Sequence, residues 1–318
     1  MSDSRDDSPP SIRTASYPPG AYPDIDHVAY FLPDIERASG ALTALGFTLT
    51  PFSAQSHRLE PGGPLVPAGT GNCCIMLKRG YVECLTPTHD TPNAAQLRMA
   101  IHRYTGVHLI AFGTQTPETD FQRLSANGFQ PLTPVALQRQ AGTASGEATA
   151  RFTVVRVAPA TMAEGRIQFC QHHTRDVVWQ PRWATHANHA VGLAGVLLCV
   201  ADPAEAAQRY ARFTGLRAQP AGTSGDSWRL DGADGKGYLL FASPALLQQS
   251  LRVSAPVLPW IAGCIIDSDD MNATQARLNG NRIDDRLLVK LDASLGGIVI
   301  FQSAGSPPLQ LEKMHEYA

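Results

Sequence analysis

The chain has 318 residues, 43% of them apolar and 17% charged, an ordinary globular composition with length for about two domains. The formal net charge is -2 and no Lys/Arg run is long, so neither nucleic acid nor an anionic membrane is an expected partner. No apolar run reaches the roughly 20 residues that span a bilayer, and six cysteines without a C-x-x-C pair exclude zinc-ribbon spacing.

The first segment, MSDSRDDSPPSIRTASYPPG, is rich in Ser, Pro, Asp and Arg and lacks the apolar h-region of a signal peptide. Residues 1–20 are therefore expected to form a disordered arm, and the protein to be cytoplasmic with its cysteines reduced and buried. From Asp24 onward one pattern recurs four times: a short β-branched strand, a loop, an amphipathic helix and then strands. The units begin at Asp24, Gly106, Gly192 and Trp260. Their helix N-caps are read as Asp34, Thr116, Asp202 and Asp267 or Asp269, because a short side-chain oxygen accepts an orphan backbone N–H. Gly46, Gly128, Gly215 and Gly280 stand where the helices should stop. The closing strands follow Gly80 (GYVEC), Gly165 (GRIQFC), Gly237 (GYLLF) and Gly297 (GIVIF).

A single strand–helix–three-strand unit cannot cover its own apolar face, so the units should pair. The expected fold is α+β: four βαβββ modules paired into two cup-shaped half-barrel domains. The first pair spans 21–175, residues 176–190 link, and a degenerate second pair spans 191–318. A cup lined by both units suits a small ligand.

The segments DHVAY at Asp26, GTGNCCIMLKRGYVECLTP at Gly69, QHHTRDVVW from Gln171 and HANHA resemble the vicinal oxygen chelate superfamily. That superfamily includes glyoxalase I, the extradiol dioxygenases and the bleomycin-resistance type; within it, the resemblance is to the glyoxalase-like domain proteins. The resemblance covers nearly all of the chain beyond the arm. It implies metal ligands on the first and last strands of each unit, which here are His27, Glu83 and His108. The fourth position falls on Gln168 or on Phe169, according to which of Gly165 and Cys170 is aligned, where a glyoxalase carries an acid. Two imidazoles and a carboxylate suit one divalent ion (Fe, Zn, Ni, Mn or Co) and leave positions open for substrate or oxygen. The missing acid points to the oxygen-activating members. The order His, Glu, His points to the glyoxalase-like branch.

His172 and His173, at the end of a closing strand, are candidate catalytic acid/base groups. Tyr81, Asn72 and Gln168 are candidate substrate contacts. His57 and Arg58 are read in a loop. His186, His189, Trp179 and Trp183 are read in the linker, over the cup or packed against it. The equivalent positions of the second pair, Gly195, Gly263 or Cys264, Leu240 and Ile300, offer no good ligand. The implied function is a divalent-metal-dependent enzyme chelating a small carbonyl or catechol-like substrate through two oxygens, a glyoxalase-like lyase/isomerase or a ring-cleaving dioxygenase. The alternative is a metal-free protein that sequesters a small molecule. The expected partner is a small-molecule substrate, and the expected state a monomer or homodimer.

Overall fold

Strand β1 (Ile25–Phe31) is buried along its whole length and leads into helix α1 (Ile35–Ala44), where the Asp34 carboxylate accepts the backbone N–H groups of Glu36 and Arg37. Three strands complete the first unit: β2 (Ser53–Arg58), β3 (Leu65–Met76) and β4 (Tyr81–Pro87). Helix α2 (Pro92–Arg103) then crosses to β5 (Gly106–Gly113), α3 (Pro117–Ala126), β6 (Val135–Thr143), β7 (Gly146–Arg156) and β8 (Arg166–His172). The computed structural model describes residues 23–58, 63–144, 146–233, 235 and 237–317, so the expected arm and the turn at Pro61 and Gly62 lie outside the described residues.

The second half repeats the plan. A short helix α4 (Arg175–Val178) and a 3-10 turn at Pro181–Trp183 lead into β9 (Ala190–Cys199), α5 (Pro203–Thr214), β10 (Ala218–Pro220), β11 (Ser227–Asp231) and β12 (Tyr238–Ala242). Helix α6 (Pro244–Leu251) is followed by β13 (Trp260–Ser268), α7 (Met271–Arg277), β14 (Asn281–Ile283), β15 (Arg286–Lys290) and β16 (Ile298–Ser303). All four βαβββ modules are therefore present. The repeat left α2 and α6 unassigned; both start with Pro inside the first turn after a capping Thr91 or Ser243 hydroxyl.

Within each module the first strand pairs parallel with the last, as His27↔Tyr81 and Leu109↔Arg166 show. Modules then join first strand to first strand, antiparallel: β1 with β5 and β9 with β13. The N-terminal pair closes further than the expected cup. Strand β2 pairs with β6 at Ser56↔Gln138 and His57↔Leu137, so the eight strands run β1-β4-β3-β2-β6-β7-β8-β5 and return to β1. The C-terminal pair stays open, because among the described residues β10 and β14 pair only within their own modules. Ring closure removes two sheet edges and leaves an enclosed interior.

Two local expectations need correction. The fourth helix is capped by Asp270, whose side chain accepts the Ala273 N–H, and not by Asp267 or Asp269. Gly46, Gly128 and Gly215 have the expected positive φ, whereas Gly280 does not, because α7 ends earlier at an extended Leu278. The two halves are tied by Arg79, in the β3–β4 turn, which donates to the Leu193 carbonyl and pairs with Asp267 at 2.7 Å. All six cysteines are buried free thiols.

Candidate metal centre

Residues alternate across a strand, so His27, Ala29 and Phe31 share one face of β1 and neighbours face the other way. The register against β5 breaks that rule at the start of the strand: Ile25 pairs with Phe112 and His27 with Ala111, leaving Asp26 as an extra residue. This bulge lets Asp26 and His27 act together. The Asp26 carboxylate oxygen Oδ2 accepts from His27 Nδ1 at 2.6 Å and from His172 Nε2, at the end of β8, at 2.9 Å. Among the described residues, Asp26, His27 and His172 bring ligand atoms within 4.8 Å of one another. Their side chains are 7%, 4% and 5% exposed.

Tyr81 stacks on the His27 ring at 4.3 Å, and Trp179 meets the His172 ring edge-on at 4.9 Å. Arg175 lies over the Trp179 ring at 3.8 Å. A cleft of about 220 Å³ opens onto Asp26 and His172, walled by Arg79, Gln115, Arg175 and Trp179. Burial alone would raise the Asp26 carboxyl; the imidazoles of His172 and His27 outweigh it and hold the group well below the usual carboxylate range. Burial pushes the Tyr81 hydroxyl up, with the Asp26 charge adding to it.

The structure does not bring His27, Glu83 and His108 to one point. Glu83, on the same face of the barrel as His27, is held by amide donors from Asn72 and, at 3.2 Å, Gln55. His108 is the extra residue of a second bulge, between the pairs Ala29↔Leu109 and Tyr30↔Val107. Its ring stacks on Tyr104 at 3.9 Å and on Phe31 at 5.4 Å, and Nε2 donates to the Tyr104 carbonyl at 2.7 Å. The fourth position resolves to Gln168, which pairs with Ala111 and faces the barrel interior, where its Oε1 accepts from Arg156. Phe169 packs into the opposite core against Phe112 and Phe213.

Of the paired histidines, His172 joins the cluster and His173 meets the Thr153 hydroxyl near the surface. His186 is fixed between the Thr48 N–H and the Met76 carbonyl, a packed tie under the linker. His189 pairs with Asp269. His57 and Arg58 lie in β2, not in a loop, and their side chains are outside the described residues.

A family model described as a glyoxalase-like domain matches residues 25–214, from the first residue of β1 to the end of α5. This chain belongs to the glyoxalase-like domain family. The fold of this glyoxalase-like protein is similar to that of a hypothetical protein from Staphylococcus aureus (TM-score 0.59, 12% identity, 88% of this chain and 98% of that one). It is also similar to a mutant of 4-hydroxymandelate synthase from Streptomyces coelicolor (TM-score 0.53, 13% identity, 93% and 96%). A xylose isomerase-like TIM barrel/4-hydroxyphenylpyruvate dioxygenase fusion protein matches with TM-score 0.54 and 12% identity over 95% of this chain, which spans 54% of that one. These three likenesses are of fold alone. No curated protein matches it in sequence.

The donor set of this glyoxalase-like protein fits a divalent ion. Metal bonds of about 2.1 Å need donors roughly 3 Å apart, and Asp26 Oδ2 lies 2.6 and 2.9 Å from the two imidazole nitrogens. In a glyoxalase-like barrel read from sequence, Asp26 was missed; the available signal was the Asp-His dipeptide opening β1.

His108 carries a separate prediction. Burial pulls its imidazole down to about 4, against 6.5 in the unfolded chain. Between those values the unfolded chain takes up a proton that the folded protein refuses, so stability falls as pH drops from 6.5 to 4 and levels off below. The loss should reach about 3 kcal/mol. Urea titrations at pH 7 and pH 4 measure it. His108→Gln keeps a donor for the Tyr104 carbonyl, and between pH 7 and pH 4 it should lose about 3 kcal/mol less than wild type; the raised Asp120 carboxyl acts in the opposite direction equally in both proteins.

Proposed function

We propose that this protein is a divalent-metal-dependent enzyme of the vicinal oxygen chelate type, with its ion held by Asp26, His27 and His172 at one mouth of the N-terminal barrel. The observation that carries this reading is the convergence of the first strand of one module and the last strand of the next on a single carboxylate oxygen. When bound, a divalent ion would supply Lewis acidity toward a carbonyl, hydroxyketone or catechol oxygen pair. Two imidazoles and one carboxylate leave several coordination positions open, which favours oxygenation of such a substrate over glyoxalase chemistry. Tyr81 fixes the plane of the His27 ring, and Trp179 with Arg175 roofs the cleft and limits water at His172.

A second reading, a metal-free binder, is favoured by a specific observation. His27, Glu83 and His108 each already have an internal hydrogen-bond partner. Elemental analysis decides between them. Protein purified anaerobically and reconstituted with Fe(II), Mn(II), Zn(II), Ni(II) or Co(II) in turn should retain about one ion per chain. The variant with Asp26, His27 and His172 all changed to alanine should retain none. Equal, negligible metal in both would leave the binder. A screen with catechols and 2-oxoaldehydes then separates oxygenase from lyase chemistry.

A further inference from the structure

A second set of polar groups, two half-buried arginines among buried neighbours, lines the interior of the N-terminal barrel, apart from the Asp26 cluster. Alternation along β7 and β8 aims Arg156, Arg166 and Gln168 at the interior, the face that also carries Val154, Cys170 and, from β4, Glu83. The two arginines are close enough to repel each other, and both feel the Glu83 charge. Neither makes an ion pair with a described residue. Arg156 Nε donates to the Gln168 side chain at 3.3 Å, and Arg166 Nη2 donates to the Asn93 and Gln96 side chains of α2, each at 3.2 Å. Glu83 takes its hydrogen bonds from Asn72 and Gln55. Two desolvated guanidinium groups thus rest on neutral amides, and burial brings Arg166 down to about 9.

Such an arrangement is costly on its own. Two half-buried positive charges share the influence of the single Glu83 carboxylate and ion-pair with no described residue, so a second negative charge beside them would be stabilising. The interior face beside them carries small side chains, Ala29 next to Glu83 and Ala111 next to Gln168. One wall is aromatic: Arg166 lies 5.5 Å over the Phe31 ring.

We propose that Arg156 and Arg166 form a binding site for the carboxylate of an aromatic acid inside the N-terminal barrel. The proposal rests on the reading that this barrel encloses the substrate. The planar forks of the two guanidiniums match the two oxygens of a carboxylate, a charge that their neutral amide partners do not supply. Gln168 stands four residues before His172 on β8, roughly 13 Å along the strand. The acid's ring and its far end would therefore extend toward the Asp26 cluster.

The test is calorimetric titration of benzoate, benzyl alcohol and inorganic phosphate into the full-length protein stripped of metal with a chelator. Benzoate should bind the wild type at least about 10-fold more tightly than benzyl alcohol, and Arg166→Gln or Arg156→Gln should weaken it by at least about 10-fold. His172→Ala should bind benzoate as the wild type does. Its loss of metal therefore reports on the proposed function, while benzoate reports on this site. Arg156→Lys guards against a folding defect, because it keeps the charge and loses the fork; it should still weaken benzoate. With no ligand present, Arg166→Met should unfold at a higher temperature than wild type and lose the benzoate-induced shift. Equal benzoate affinity in the wild type and the arginine variants overturns the proposal. So does the absence of binding, or binding of phosphate in place of benzoate.

Discussion

Asp26→Ala is expected to reduce bound metal from about one ion per chain to background and to destabilise even the metal-free protein by about 3 kcal/mol. The second effect follows from hydrogen-bond asymmetry. Asp26 Oδ2 is the shared acceptor of His27 Nδ1 and His172 Nε2, and both rings are buried. Removing it strands two donors, each costing about 1–3 kcal/mol in a site that water reaches poorly. The first effect follows from ligand count, since two imidazoles alone hold a divalent ion far less well than two with a carboxylate. Activity with reconstituted ion should fall by at least about 10³-fold, the equivalent of several kcal/mol of lost Lewis-acid assistance. Glu83→Gln is the contrasting variant. A carboxamide oxygen still accepts from Asn72 and Gln55, so metal content should be unaltered; any stability loss reflects the charge removed from beside Arg156 and Arg166. Metal analysis and urea denaturation of the two variants side by side give the result. Metal lost from Glu83→Gln and kept by Asp26→Ala would return the ion to the barrel centre.

Much of this architecture is written in local pattern. Each module announces itself by a β-branched strand and a helix; Asp34 and Asp202 cap as their chemistry requires, whereas Thr116, the expected cap of the second module, makes no side-chain capping bond. Periodicity cannot reveal ring closure. The β2–β6 pairing joins strands about 80 residues apart through two register pairs, on a strand of mostly polar sequence, SAQSHR. Of the Asp26 cluster, the sequence names His27 as a ligand and His172 as an acid/base candidate, and passes over Asp26. His27 and His172 stand out because imidazoles at the ends of apolar strands invite a reason. Asp26 escapes the sequence pattern, and His108 lies apart from His27, for a single physical cause: each is the extra residue of a bulge, and a bulge re-aims side chains by one position. Strict alternation hides Asp26 on the far face. The repeat analogy matches His27 to His108, but the antiparallel β1–β5 pairing sets those two near opposite ends of the ladder. His27 lies opposite Ala111, and His108 beside Tyr30 and Leu109.

The central position of β13 predicts an effect as large on stability. Strand β13 pairs with β9 over most of its length, with β16 in parallel, and with β5 of the other half at Ile261↔Val107. Gly263 sits at its middle, paired with Ile298, after a register shift that leaves Ala262 unopposed. A Cβ at Gly263 would lie 1.8 Å from the Ile298 carbonyl oxygen and 2.8 Å from its carbon. Both are backbone atoms of a hydrogen-bonded strand, so no rotamer change relieves the clash; the parallel β13–β16 ladder would have to open. Gly263→Ala should therefore cost about 4 kcal/mol or more, a size reserved for overpacking of a buried backbone approach. Gly128→Ala provides the comparison. Its φ of +78° also disfavours a side chain, yet nothing lies within 4 Å of the added methyl, so only the left-handed backbone penalty of about 1–2 kcal/mol remains. Denaturation midpoints of the two variants separate steric exclusion from conformational preference. Similar small losses in both would mean that β16 can yield at Ile298, and that the junction between the two halves is softer than its buried ladder implies.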